Sequence, residues 1–549
     1  MKQLVHAMFR LAIALAITSA MFAHSLTAVV DPVIRSPAES SQYEPVYAIW
    51  NEESASWVPP DARVLNVAGL PPEQFGLIKQ FEKLETLQLG NRFDSPPLTV
   101  EALTEVAKLK GLKRIDASFI PAFQADWLQA LAKCPDLEEL NLESSVGRFA
   151  DDPEISIASL GKIVKSTGLK ALDITNCKFT GDFEALLAIA NSLEHLAVTV
   201  GHSQFKLDAK QLASLGAASL SCLQLETGHV LDDSFFAALA RNESLTALSL
   251  KGQRNVTPAQ LKRLSEVEHL QTLVLDLSNG PLTDEHLIAV SEMSGLTALQ
   301  IICGRAIDGR SGKPERWDKK VTVTPAGLGK LARLPKLATL DLGDFKAVSD
   351  ESLALLAESS SIRVLDISKS NGWTAKGIAA LSKLETLNEL FLDGWGDYHD
   401  SPVNDEVLTA LTQLKSLHIL SLNFTVGVTP TGIAALGKMT SLLALHVTGC
   451  GWMNFEACDE ISKLPKLREL LMYDDPGIDT ECVKALSASP TIEVLGLYGC
   501  AALDKAALPH LEKFVALKLV DLRRTGLNAE TLKDFIARMS ERSVTVPHY

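Results

Sequence analysis

A six-residue phrase, L-x-x-L-x-L, limits what this chain can fold into more than any other feature, because it returns along most of the sequence with a nearly fixed beat. It reads LETLQL at 84, LEELNL at 137, LTALSL at 245, LATLDL at 337, LLALHV at 442 and LKLVDL at 517. Counting a weaker ARVLNV at Ala62, eighteen copies align, most of them 25 residues apart. The closing L-x-L puts two side chains on one face of a short strand, and the leucine three places earlier turns inward from the approach to it. Between copies a second phrase returns, as LTDEHLIAV at 282, VTPAGLGKL at 323, VSDESLALL at 348, WTAKGIAAL at 373 and VTPTGIAAL at 428. There Thr, Ser or Asp caps a helix, Pro suits its first position, and apolar residues follow at helical spacing.

One strand and one helix cannot bury their apolar faces alone, so successive units must stack. The pattern resembles the leucine-rich repeat superfamily over about residues 62 to 546. That resemblance implies an α/β leucine-rich repeat solenoid, a horseshoe with a concave parallel β-sheet and convex helices. Eighteen strands at about 4.8 Å would give a sheet path of about 85 Å. The 25-residue beat is most similar to the cysteine-containing, ribonuclease-inhibitor-like class, in which a Cys follows the last strand leucine by three; Cys177, Cys450 and Cys500 hold that place and many other copies do not.

The ends and the cysteines bound the setting. Lys2 and Arg10, the apolar run Leu11 to Phe22 and the small residues Ala23-His24-Ser25 read as a bacterial-type export signal over 1–25. An uncleaved anchor is the alternative, since Leu11 to Val30 carries no charged residue. Residues 26–61, rich in Pro and Ser, read as a linker or N-terminal cap, and 62–549 as the repeat domain, closed by a capping strand at Val544 and Val546. The expected setting is the periplasm, cell surface or medium. Eight cysteines lie singly between Cys134 and Cys500, which matches neither a disulfide-knotted module nor a metal finger.

No phosphate loop, nucleophile elbow or H-E-x-x-H pair is present, so the chain reads as non-enzymatic, with no cofactor and no resident metal. The formal charge of −15 argues against nucleic acid, which is held by clustered Lys and Arg. Four repeats run long, and each excess falls between strand end and helix cap, at about 90–98, 143–155, 302–323 and 393–403. All four therefore sit on one rim, a frequent place for ligand contact. The longest carries Arg310, Lys313 and Arg316, a basic flap that would suit an anionic partner, and the last carries Trp395 and Tyr398.

Side chains between the leucines must point away from the core. Counted from residue 84, these places hold twelve acids, Asp341 and Asp366 among them, against three bases, and toward the C-terminus they turn apolar with Phe391, Ile419, Leu471, Tyr473, Val494 and Tyr498. An apolar group on such a face suggests a docking surface for a protein partner of unknown identity. Two other readings are a carbohydrate or cell-envelope binder relying on Trp373, Trp395, Tyr398 and Trp452, and a hydrolase with its site in the 302–323 and 393–403 loops.

Overall fold

Each L-x-L phrase forms a strand of three to six residues, and within each of two units the strands pair in parallel with those of adjoining repeats. The computed structural model describes residues 46–546 apart from 50, 57, 59, 90–97, 121–124, 144–153, 201–206, 253–254, 279, 304–320 and 395–400. The described chain falls into two units, 46–280 and 281–546.

In the first unit the strands run in sequence order, from Val46–Ala48 through Val64–Asn66, Thr86–Gln88, Arg114–Asp116, Glu139–Asn141, Ala171–Ile174, His195–Val200, Cys222–Thr227 and Ala247–Lys251 to Thr272–Asp276. Every neighbouring pair in this series is parallel. The sheet thus begins at Val46, inside the stretch expected to be linker or cap. The register stacks Leu65, Leu87, Ile115, Leu140, Leu172, Leu196, Leu223, Leu248 and Leu273 in one buried row.

The second unit repeats the plan with Ala298–Ile302, Thr339–Asp341, Val364–Asp366, Glu389–Phe391, Ile419–Ser421, Ala444–His446, Glu469–Leu471, Val494–Gly496 and Leu519–Asp521. Its buried row is Leu299, Leu340, Leu365, Leu390, Leu420, Leu445, Leu470, Leu495 and Val520. Fully burying one such side chain contributes about 1.5–3 kcal/mol. The last strand gains a parallel bridge from Leu519 to Thr545, with Val544 and Val546 buried beside it, so this edge of the sheet is partly covered.

Two local devices explain why the beat is kept. The residue ending a strand is repeatedly Asp or Asn, whose side chain accepts the backbone N–H two residues on: Ala68 to Asn66, Ser118 to Asp116, Thr175 to Asp173, Gly343 to Asp341, Ser368 to Asp366 and Arg523 to Asp521, at 2.7–3.1 Å. One residue further, the chain turns through the left-handed region at Phe119, Asn176, Asp344, Lys369, Phe424, Asp474 and Arg524, with φ between 50° and 62°. The second device joins helices. The first helical residue of one repeat, Asp350, accepts from both the backbone N–H and the hydroxyl of the next cap, Thr374, at 2.8 Å each. Asp284 does the same for Thr324 and Asp405 for Thr429.

That clamp dictates glycine three places after the cap. A Cβ at Gly377 would stand 2.5 Å from the Asp350 carboxylate and 2.9 Å from Leu353 Cδ1, closer than any side chain tolerates. Among the described residues no helix is long and apolar enough to cross a membrane.

Candidate interaction surface

The open face of the second unit, on the side of its sheet away from the buried leucine row, is built from three registers. The first aligns Glu389, Ile419, Ala444, Glu469, Val494 and Leu519 on consecutive strands. The second aligns Asp341, Asp366, Phe391, Ser421, His446, Leu471, Gly496 and Asp521. The third continues past the strand ends, where Gly449 N–H donates to the Tyr473 carbonyl, Asp474 N–H to that of Tyr498, and Gly499 N–H to that of Arg523. Phe391, Ile419, Leu471, Tyr473, Val494, Tyr498 and Leu519 are all half-buried here, so each keeps part of its apolar surface toward solvent.

At the C-terminal end the face becomes an aromatic and cationic cluster. The Tyr473 and Tyr498 rings meet edge-on with centroids 6.0 Å apart. The guanidinium groups of Arg523 and Arg524 each lie 5.6 Å from the Tyr498 centroid, and Arg524 donates to the Tyr498 hydroxyl at 2.8 Å. Asp521 holds Arg523 through both Nε and Nη2. Gly496 makes this possible, since a Cβ there would lie 2.8 Å from Leu471 Cδ2 and 2.9 Å from Tyr473 Cζ. Sequence reading missed Gly496 and Arg524; the signal was a glycine in an outward strand place flanked on the preceding repeat by two large side chains.

The acidic stripe has a different character from the one its count suggests. Asp341 and Asp366 sit side by side and fasten their own turns, and Gln300 also donates to Asp341 at 2.5 Å. Burial first, and for Asp366 also repulsion from Asp341, pushes both carboxyls above the ordinary aspartate range, Asp366 to about 8. Burial lifts Glu389 to about 7, against a lowering influence of His446. His446 Nε2 and Glu469 Oε1 pair at 2.8 Å. Near neutral pH this face therefore carries less negative charge than its formal count. Asp393, half-buried and with its carboxyl raised by desolvation, accepts from Ser421 Oγ and from Asn423.

Among the expected site residues, Phe391, Ile419, Leu471, Tyr473, Val494, Tyr498, Asp341 and Asp366 share this sheet face. Trp395, Tyr398, Arg310, Lys313 and Arg316 lie outside the described residues. Trp373 and Trp452 correct the sequence reading, being 2% and 8% exposed. Trp373 directly precedes the cap Thr374, in the inward place that Val348 and Val428 fill in other repeats, and Trp452 Nε1 donates to Thr425 Oγ1 at 3.2 Å. Neither ring can stack on a glycan. Among the described residues no group of three or more His, Cys, Asp or Glu is placed to hold a metal ion, and all eight cysteines are free thiols.

The repeated strand-and-helix unit, its in-register leucine row and its parallel pairing define a leucine-rich repeat fold. No family model matches the chain. A Caenorhabditis elegans protein described as RNA-binding is 24% identical over 184 residues, 32% of this chain and 24% of that protein, so the chain spans about a quarter of this curated relative. Similar solved structures include an internalin from Listeria monocytogenes, at 18% identity and a TM-score of 0.36, covering 62% of this chain and 82% of that one. A Leptospira interrogans leucine-rich repeat protein is 17% identical with a TM-score of 0.31 and coverages of 91% and 99%. The mouse RP105/MD-1 complex is matched at 15% identity and a TM-score of 0.35, with coverages of 93% and 80%. The fold assignment rests on the repeat geometry above.

Proposed function

We propose that this protein is an exported, non-enzymatic recognition scaffold that holds a protein partner on the open sheet face of its second unit and the strand-to-helix rim beside it. The observation that carries this reading is the row of half-buried apolar side chains from Phe391 to Leu519, in places where the strand period directs them away from the core. Aromatic anchors beside Arg are the chemistry in which protein interfaces concentrate their binding energy. With Glu389 lifted by burial and Glu469 paired with His446, the face favours a partner segment that is chiefly apolar. The C. elegans relative is described as RNA-binding, but a phosphate backbone calls for clustered free Lys and Arg, and Arg523 on this face is already clamped by Asp521.

The test is partner retention from the native extracellular fraction by the mature chain and by a Leu471→Asp, Val494→Asp double variant. The proposal expects specific retention by the parent chain, at least a tenfold loss in the variant, and an unchanged melting temperature. Equal retention by both chains would overturn it.

A further inference from the structure

Two buried thiols on neighbouring helices of the second unit stand apart from the interaction surface. Cys458 is the fourth residue after the Asn454 cap, on helix Phe455–Ser462, and Cys482 is the third after the Asp479 cap, on helix Thr480–Leu486. Cys458 is 0% exposed and Cys482 1%.

The repeat itself shows that these two places touch. In other pairs of adjoining repeats, a Cβ at the third place faces the fourth-place side chain of the preceding helix: 2.9 Å from Gly377 to Leu353 Cδ1, and 3.1 Å from Gly432 to Leu408 Cδ1. On the helices capped by Ser349, Thr374, Asn404 and Thr429 the fourth place holds Leu or Ile, and the third is Gly at 377 and 432, a large group against none. Here alone among the described repeats both places hold Cys. Two small sulfur side chains replace the pairing of large and absent, and the two thiols meet in a side-chain hydrogen bond. The contact also polarises the pair. The Cys458 thiol supports the Cys482 thiolate and holds Cys482 below the ordinary thiol value, while that same contact and burial push Cys458 well above it. Cys482 also donates its S–H to the Gly477 carbonyl at 3.3 Å, as Cys450 and Cys500 donate theirs to the carbonyls of Leu422 and Met472, and burial pushes the Cys450 and Cys500 thiols to about 12.

We propose that Cys458 and Cys482 form an inter-repeat disulfide when the chain folds in the presence of a low-molecular-weight disulfide. One of the two cysteines, as its thiolate, attacks one sulfur of the oxidant, forming a mixed disulfide and releasing one low-molecular-weight thiolate. The sulfur of the other, losing its proton to solvent, then displaces the second. One S–S bond of the oxidant is reduced to two thiols while two protein thiols are oxidised to one disulfide. Because both side chains are buried in the folded chain, the exchange precedes helix packing.

The experiment refolds the full chain from denaturant in a glutathione redox buffer, alkylates the remaining thiols under denaturing conditions, and maps the products by mass spectrometry. The expected product has six alkylated cysteines and one linked peptide pair joining residues 458 and 482. Cys482→Ser and Cys458→Ser should each lose the link, whereas Cys450→Ser should keep it. Eight alkylated cysteines in the refolded parent chain, or a link between any other pair, would overturn the proposal; mapping in the parent chain decides it even where a variant fails to fold.

Discussion

The same outward places of the same repeat are filled differently in the two units. From Ala171 to Asp276 in the first unit, the small or apolar residues between the leucines, Ala171, Ala197, Ala247, Ser249, Thr272 and Val274, are all buried, Ser249 completely. In the second unit the matching places include Phe391, Ile419, Leu471, Val494 and Leu519, all partly exposed, beside the buried Ser421 and Ala444. Alternation along a strand thus tells which way a side chain points and not whether solvent reaches it. Sequence reasoning had every outward residue pointing away from the core, and in the strands from Ala171 to Asp276 most of these side chains are nevertheless buried.

The comparison can be broken by substitution. The buried row should not distinguish the units: Leu248→Ala and Leu445→Ala should each cost about 2–5 kcal/mol in denaturant unfolding. The outward row should distinguish them. Ala247→Leu adds volume where no solvent-facing space exists and should cost about 1–3 kcal/mol, while Val494→Leu, in the equivalent place of the second unit, should stay within about 0.5 kcal/mol. Equal costs would erase the distinction between the two faces. Between these in mechanism is Gly377→Ala, which sets a methyl against the Asp350 clamp and should cost about 1–3 kcal/mol by the same overpacking; adding Asp350→Ala should recover part of the loss.

The paired aspartates give a smaller effect with a defined sign. Burial and the neighbouring Asp341 raise the folded pKa of Asp366 above the ordinary aspartate value, to about 8, so the folded state keeps a proton that the unfolded state has lost. Its contribution is therefore fully present below about pH 4 and declines as pH rises toward about 8. Asp366→Asn keeps an acceptor for the Ser368 N–H and removes the titration. It should raise stability at pH 8, where the native aspartate ionises against burial and Asp341, and leave it unchanged at pH 4, as read from melting curves at the two pH values.

Much of this was legible from the residues. The strands, their parallel stacking and the buried leucine row follow from L-x-x-L-x-L, and the capped helices from the Thr, Ser and Asp before them. The place of Trp373 was also legible, since WTAKGIAAL aligns its Trp with the inward Val348 of VSDESLALL and Val428 of VTPTGIAAL; size and chemistry suggested a ligand platform where register required a core residue. The acidic stripe misled for a related reason. A recurrent Asp at a strand's end is as much a turn fastener as a surface charge, and only the N–H groups arriving at Asp116, Asp173, Asp341, Asp366 and Asp521 separate the two. Gly496 and the tilt of Tyr473 depend on contacts between repeats, which no single repeat encodes.

The docking role of the second unit's open face is tested most directly by site-specific photo-cross-linking in the native extracellular fraction. A photoreactive phenylalanine analogue would replace Leu471 or Val494 in the second unit, and Gln224 or Lys251 in the first. The account predicts a discrete, saturable adduct of the same mass from both second-unit positions and none from the first-unit positions. Adducts of equal yield from all four positions, or from Gln224 and Lys251 alone, would contradict it.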